Sequence, residues 1–241
     1  MRSQFLIAAG LALGMSAAPA FADVVFTDNT FNLANYSASP TATSPAGSII
    51  YSSSANTLQF TSTFTNSATP INVAQGLANN LFSYNPLLQG AITSIDTSVL
   101  KNISVDYNLT GGGNTFRPTV EQDGIFYLAA IAGATFNGPN APAGTGFLTF
   151  SQTGLKATDF LSYDFATGTF GSANPNFDGD PLLFGLTQIS GVASFAGDPG
   201  HLVTQYQDLA FDIHTAPEPS TIALFGAALF GLVGFARRKI F

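Results

Sequence analysis

The chain contains no cysteine and no tryptophan. Without Cys there is no disulfide framework, no thiol catalysis, no thiolate zinc site and no Cys-ligated iron–sulfur cluster. Charge is scarce as well: 9% of the 241 residues are Asp, Glu, Lys or Arg, against about 25% in an ordinary soluble domain. The two His, His201 and His214, do not make a clustered His metal centre. Positive charge is nearly missing from the middle of the chain. Between Asp23 and Ala216 only Lys101, Arg117 and Lys156 stand against thirteen acidic residues. A body this acidic repels phosphate backbones, which excludes nucleic-acid binding, and resists adsorption to anionic lipid. Its simplest role is solubility, although an Asp-rich surface also attracts divalent cations.

What the chain does have is concentrated at its ends. Residues 1–22 read as a secretory signal peptide: Arg2, an apolar run from Phe5 to Met15, and the small-x-small site Ala20-Phe21-Ala22 before Asp23. The run is too short for a stable membrane span. Signal peptidase is therefore an expected partner.

At the other end, Pro217-Glu218-Pro219 precedes an uncharged run over 221–236 and the basic cluster Arg237, Arg238, Lys239. Sixteen residues make about 24 Å of helix, short of a roughly 30 Å hydrocarbon core, and snorkelling of the basic side chains narrows the gap. The run reads as one transmembrane helix with a stop-transfer cluster, the cluster cytoplasmic and the body outside the inner membrane. The prolines cannot continue a helix backward and mark the boundary between body and anchor.

This order of features resembles the PEP-CTERM sorting signal, a tail also called the ice-binding-protein C-terminal domain. The resemblance covers residues 216–241. It implies an exosortase that processes the chain near Pro217, Glu218 and Pro219 and releases the body to the cell surface or exterior. It also implies a setting of exopolysaccharide and biofilm production. It says nothing about activity of the body.

The remaining residues, 23–215, read as one domain with two-residue periodicity. Ile103, Val105, Tyr107 and Leu109 alternate with polar residues, as do Leu58, Phe60 and Phe64, then Leu161, Tyr163 and Phe165, then Leu209, Phe211 and Ile213. Each pattern gives one core face and one wet face, as antiparallel sheets require. Ile125 to Ile131 is continuously apolar and reads as a central strand covered on both faces. Ser48–Tyr51, Ala91–Asp96, Phe147–Ser151 and Leu183–Gln188 are further candidate strands. Turn signals fall at Asn85-Pro86, Gly111–Asn114, Asn137–Pro142, Asn174–Pro181 and Asp198–Gly200. Helix is expected only at Val73–Ser83 and Lys156–Phe160. The fold class is all-β: a single antiparallel β-sandwich, jelly-roll-like, between the signal peptide and the transmembrane helix. The 23 Phe fill its core without polar atoms to satisfy.

Several segments of the body are similar to bacterial extracellular jelly-roll modules of the lectin or carbohydrate-binding kind. They are Phe82–Pro86 with Gln89–Ile92 and Ser94–Asp96, then Glu121–Gly124 with Phe126-Tyr127, then Asp208–Phe211. In such modules an acid near the first strand and an Asp on the last share a structural calcium. The matching residues here are Asp28 and Asp208. Asp178 and Asp180, flanking Gly179 in a loop, form a weaker calcium candidate because hard cations prefer carboxylate oxygens. No other cofactor is expected.

Catalytic patterns are sparse. No G-x-S-x-G elbow occurs. His201 sits in a Gly-rich turn, and His214 stands exposed at the start of the Pro linker. Glu121 and Asp123 could be the acids of a glycosidase or could cap a turn before Gly124. No catalytic residue is therefore assigned. The sequence supports a non-catalytic envelope or matrix protein with a structural, adhesive or exopolysaccharide-associated role. The alternative is a secreted glycan-active enzyme, a carbohydrate hydrolase.

Overall fold

The computed structural model describes residues 23–216 apart from 43, 106–112, 131–145, 195 and 198. Residues 1–22, the expected signal peptide, lie outside the described residues, as do Pro217, Glu218, Pro219, the apolar run 221–236 and the cluster Arg237, Arg238, Lys239. So do Tyr107, Leu109, Ile131 and the Asn137–Pro142 turn.

Two antiparallel sheets face each other. The first has the order β3 (Gly47–Ser54), β4 (Thr57–Phe64), β13 (Gly200–Thr215), β6 (Ile92–Val105) and β9 (Leu148–Leu155). Strand β1 (Val24–Asp28) also pairs with β13. The second has the order β11 (Thr169–Phe170), β10 (Phe160–Asp164), β8 (Ile125–Ala129), β7 (Gly113–Gln122), β12 (Leu182–Val192), β5 (Ile71–Tyr84) and β2 (Tyr36–Ala38). The all-β sandwich expected from alternation is present.

Alternation explains the layers. In β4, Leu58, Phe60 and Phe64 are buried while Thr57, Gln59, Thr61 and Thr63 are half-buried on the outer side. In β13, Leu209, Phe211 and Ile213 point into the same core. Phe rings from both sheets meet there: Phe184 of the second sheet lies 5.5 Å from Phe211 of the first, centroid to centroid. Strand β8 is buried on both faces, as its apolar run requires. Tyr127 and Ala129 join the main core, and Phe126 and Leu128 join a second cluster with Tyr163 and Phe165. That strand is third from the edge rather than central.

The helix expected over Val73–Ser83 is instead the middle of β5, a 14-residue strand. Residues 73–79 are buried without a break, which hides the two-residue period that would have marked a strand. A sheet element covered on both sides reads as a plain apolar run. Over Lys156–Phe160 there is one 3₁₀ turn, Ala157–Asp159, and Phe160 already belongs to β10.

A polar seam joins the sheets. The buried Lys101 Nζ donates to the Asn114 carbonyl oxygen at 3.1 Å, the Asn114 amide donates to the Thr204 hydroxyl, and the Tyr206 hydroxyl donates to Gln188. Burial pushes the Lys101 ammonium down to about 7, because an apolar site disfavours the charged form.

Candidate functional site

One end of the sandwich holds the end of β13, the last strand among the described residues. Strand β13 stays paired to its last residue, with Thr215 opposite Ile92. The next amide, Ala216 N–H, donates to the Ala91 carbonyl at 2.9 Å. Sheet hydrogen bonding therefore reaches Ala216, the last described residue.

One residue before the strand ends, His214 is held by carboxylates from two other elements. Its Nδ1 is 3.1 Å from Asp23 Oδ2 and its Nε2 is 3.4 Å from Asp96 Oδ2. Asp212 shares its face through the two-residue period and lies directly across from Asp96. A neutral imidazole donates from one nitrogen only, so two facing carboxylates favour the doubly protonated ring. Burial lowers the His214 pKa, but the bonds to Asp23 and Asp96 and the field of Asp212 outweigh it, and the net direction is up. Asp23, Asp212 and His214 each present a donor atom within 4.8 Å of the others. In chemical terms this set could hold a divalent cation in place of the proton. The sequence had placed His214 exposed in a linker; sheet pairing half-buries it in β13 instead. His201 likewise lies in β13 rather than a turn, with its Nδ1 3.0 Å from the Thr63 hydroxyl. The Asp212-Ile213-His214 spacing was the available signal for one shared face. Asp23 and Asp96 come from distant sequence and carried none.

Near the far end of β1, Asp28 is buried and accepts five hydrogen bonds. Its Oδ1 takes Thr30 N–H at 2.8 Å, the Thr30 hydroxyl at 3.0 Å and Phe31 N–H at 2.8 Å. Its Oδ2 takes the Tyr36 hydroxyl at 2.8 Å and the Asn79 amide at 3.1 Å. Burial alone would raise its pKa, yet the backbone bonds from Phe31 and Thr30 and the side-chain bonds bring it below the ordinary value. Burial and the facing carboxylate push the Tyr36 phenol up. A carboxylate has about four lone-pair sites, and here protein donors occupy them. The calcium expected between Asp28 and Asp208 does not fit this donor set. Register does bring the two close, since Asp28 pairs with Leu209. However, Asp208 sits exposed at a bulge, with φ of 51°, where the extra residue bends the strand.

Asp178 and Asp180 are exposed in the loop before β12. Gln122 organises that loop: its Nε2 donates to the Asn176 and Asp180 carbonyls at 3.1 and 2.8 Å. Glu121 lies near the end of β7, and Asp123 is the first residue of the β7–β8 turn. Asp123 and Gly124 both have positive φ, 55° and 80°, the signature of a two-residue hairpin loop. Glu121 accepts Gly124 N–H at 2.6 Å, so this pair serves the turn that the sequence offered as one of its two roles.

A cleft of about 370 Å³ opens between β1 and the end of β5. Phe26, Asn29, Asn35, Asn79 and Phe82 contribute to its lining, and Phe26 stacks on Phe82 at 5.3 Å. Beyond β5 comes one short helix, α1 (Pro86–Gln89). Asn85 caps it by accepting Leu87 N–H at 3.1 Å, and Pro86 occupies its first turn. The Tyr84 hydroxyl lies 2.8 and 2.7 Å from the carbonyls of Gln89 and Gly90.

Residues 215–239 match the PEP-CTERM protein-sorting motif. No curated protein matches the chain. Solved structures with a similar trace include the lectin UEA-II complexed with galactose, at 13% identity over 80% of this chain and 100% of that one, TM-score 0.40. The CBM22-1 xylan-binding domain from Paenibacillus barcinonensis Xyn10C aligns at 6% identity over 80% and 94%, TM-score 0.33. Lectin I-B4 from Griffonia simplicifolia aligns at 12% identity over 79% and 99%, TM-score 0.31. Among the described residues, no helix is long and apolar enough to cross a membrane.

Proposed function

We propose that the chain is an exported envelope or matrix protein with a non-catalytic body. Its work is structural or adhesive, beside exopolysaccharide. Its tail anchors it in the inner membrane until an exosortase acts near Pro217, Glu218 and Pro219. The observation that carries this reading is the position of the motif. Strand pairing runs up to Thr215 and Ala216, and the sorting motif, residues 215–239, begins where β13, the last strand among the described residues, ends. A tail attached this way can be cut off without loss to the fold.

Deleting residues 217–241 tests the sorting half. The body should appear free in the periplasm or medium, and unchanged membrane retention would overturn the reading. For the polysaccharide half, the cleft presents the exposed Asn29 and the half-buried Asn35 near the half-buried Phe26 ring, the mixture of polar and flat apolar groups that sugars use. Purified body, residues 23–216, applied to a glycan array should bind, and Asn35→Ala should weaken that binding several-fold. Hydrolysis of an arrayed glycan by the body would instead establish the rival enzyme.

A further inference from the structure

Helix α1 is built rigidly and yet displays two leucines to solvent. Leu87 is 66% exposed and Leu88 76%. Around them the turn is fixed by the Asn85 cap, by the Gln89 side chain accepting Asn85 N–H at 2.8 Å, and by the Tyr84 hydroxyl. Fixing so short a turn costs backbone entropy, and its two largest apolar side chains contribute nothing to the core. Placement supplies the reason. The residues closing the helix, Gly90 and Ala91, touch Ala216: Ala216 N–H donates to Ala91, and the Ala216 oxygen lies 3.3 Å from where a Cβ on Gly90 would be. The leucines are therefore rooted beside the point from which the tail departs. Ile125, 46% exposed at the start of β8, lies at the same end of the sandwich.

We propose that Leu87 and Leu88 form a foot that seats the body on the lipid surface while the tail is still attached. This rests on the reading of residues 221–236 as the membrane anchor. The length of the tether makes the contact hard to avoid. Residues 217–220 reach at most about 14 Å when fully extended. The apolar run of about 24 Å is shorter than the roughly 30 Å hydrocarbon core, and a short span draws its flanks toward the bilayer. Apolar side chains held at that depth partition into the headgroup–acyl boundary. The lipid it fits is zwitterionic. The loop carrying Asp178 joins this end through the Phe177 carbonyl, which accepts Ile92 N–H at 3.0 Å. Its acidic groups disfavour an anionic surface.

The absence of tryptophan gives a clean probe. In the full unprocessed chain, Leu88→Trp introduces the sole indole, and Ile50→Trp provides the control. Ile50 is 67% exposed and in register, through Thr61, with Val203. That is twelve residues along β13 from Thr215, roughly 40 Å at about 3.3 Å per residue. Both variants are reconstituted into vesicles of zwitterionic phosphatidylcholine carrying brominated acyl chains. The indole at position 88 should lose at least half of its fluorescence, while that at position 50 keeps its intensity. Equal intensities at the two positions in chains that float with the vesicles would overturn the foot and leave the anchor standing. Failure of the chains to float would overturn the anchor and the foot together. A concentration-dependent blue shift at position 88 without quenching would assign the leucines to self-association instead.

Discussion

His214 shows how one side chain takes its chemistry from two distant stretches of sequence and from a neighbour two residues away. Asp23, Asp96 and Asp212 surround it, and the result is a pKa above the ordinary histidine value. A group whose pKa rises on folding stabilises the fold fully below its unfolded pKa of about 6.5, and that stabilisation fades as pH climbs through the folded value. The cluster is partly exposed, so solvent screening limits the effect to at most about 1 kcal/mol. Wild type and His214→Gln, melted in parallel from pH 5 to 9, should differ most at the acidic end and converge as pH rises. A constant difference across the range would show that His214 acts by packing alone. The same dependence on fold geometry applies to Asp28. The resemblance to jelly-roll modules marked it as a calcium ligand, and in the fold donors from Thr30, Phe31, Tyr36 and Asn79 fill its acceptor sites.

The instructive element is β5. Its small residues are where they are because of what lies above them. Ala74 and Ala78 are buried under the second cluster. A Cβ on Gly76 would sit 2.9 Å from the Thr187 hydroxyl, 3.0 Å from Phe165 and 3.1 Å from Phe126. The strand thus lies flat beneath a lid of aromatic rings, and each added carbon must displace them. Overpacking of this kind costs about 1–3 kcal/mol. Gly76→Val should lower the urea midpoint accordingly, and a midpoint equal to wild type would mean that the rings move aside freely. Exposed strands such as β4 announced themselves by alternation. The interior of β5 did not, because contact on both faces removes the polar half of the pattern. Helix α1 was equally hidden: Asn85-Pro86 reads as a turn, and the same pair serves as N-cap and first helical residue.

For the molecule as a whole, β13 matters most. It pairs with β4, β6 and β1 and ends where the residues matching the sorting motif begin. Burying Leu209, Phe211 and Ile213 contributes about 1.5–3 kcal/mol each, a sum comparable with the entire stability of a typical domain. A chain ending at Ala216 should therefore melt as cooperatively as the full-length chain, whereas one ending at Gln207 should show no cooperative transition. Retained cooperativity in the shorter chain would displace β13 from that role. The sequence by itself determined the class of fold, most strand faces and the order of the sorting tail. These depend on local periodicity and on features contiguous in the chain. Only the tertiary structure decided that the stretch from Val73 to Ser83 is a strand, that Asp28 is spent on internal donors, that His214 is ringed by carboxylates and that the helix carrying two exposed leucines ends against Ala216. Each of those depends on residues far apart in sequence becoming neighbours, and periodicity carries no information about which distant strand will lie alongside.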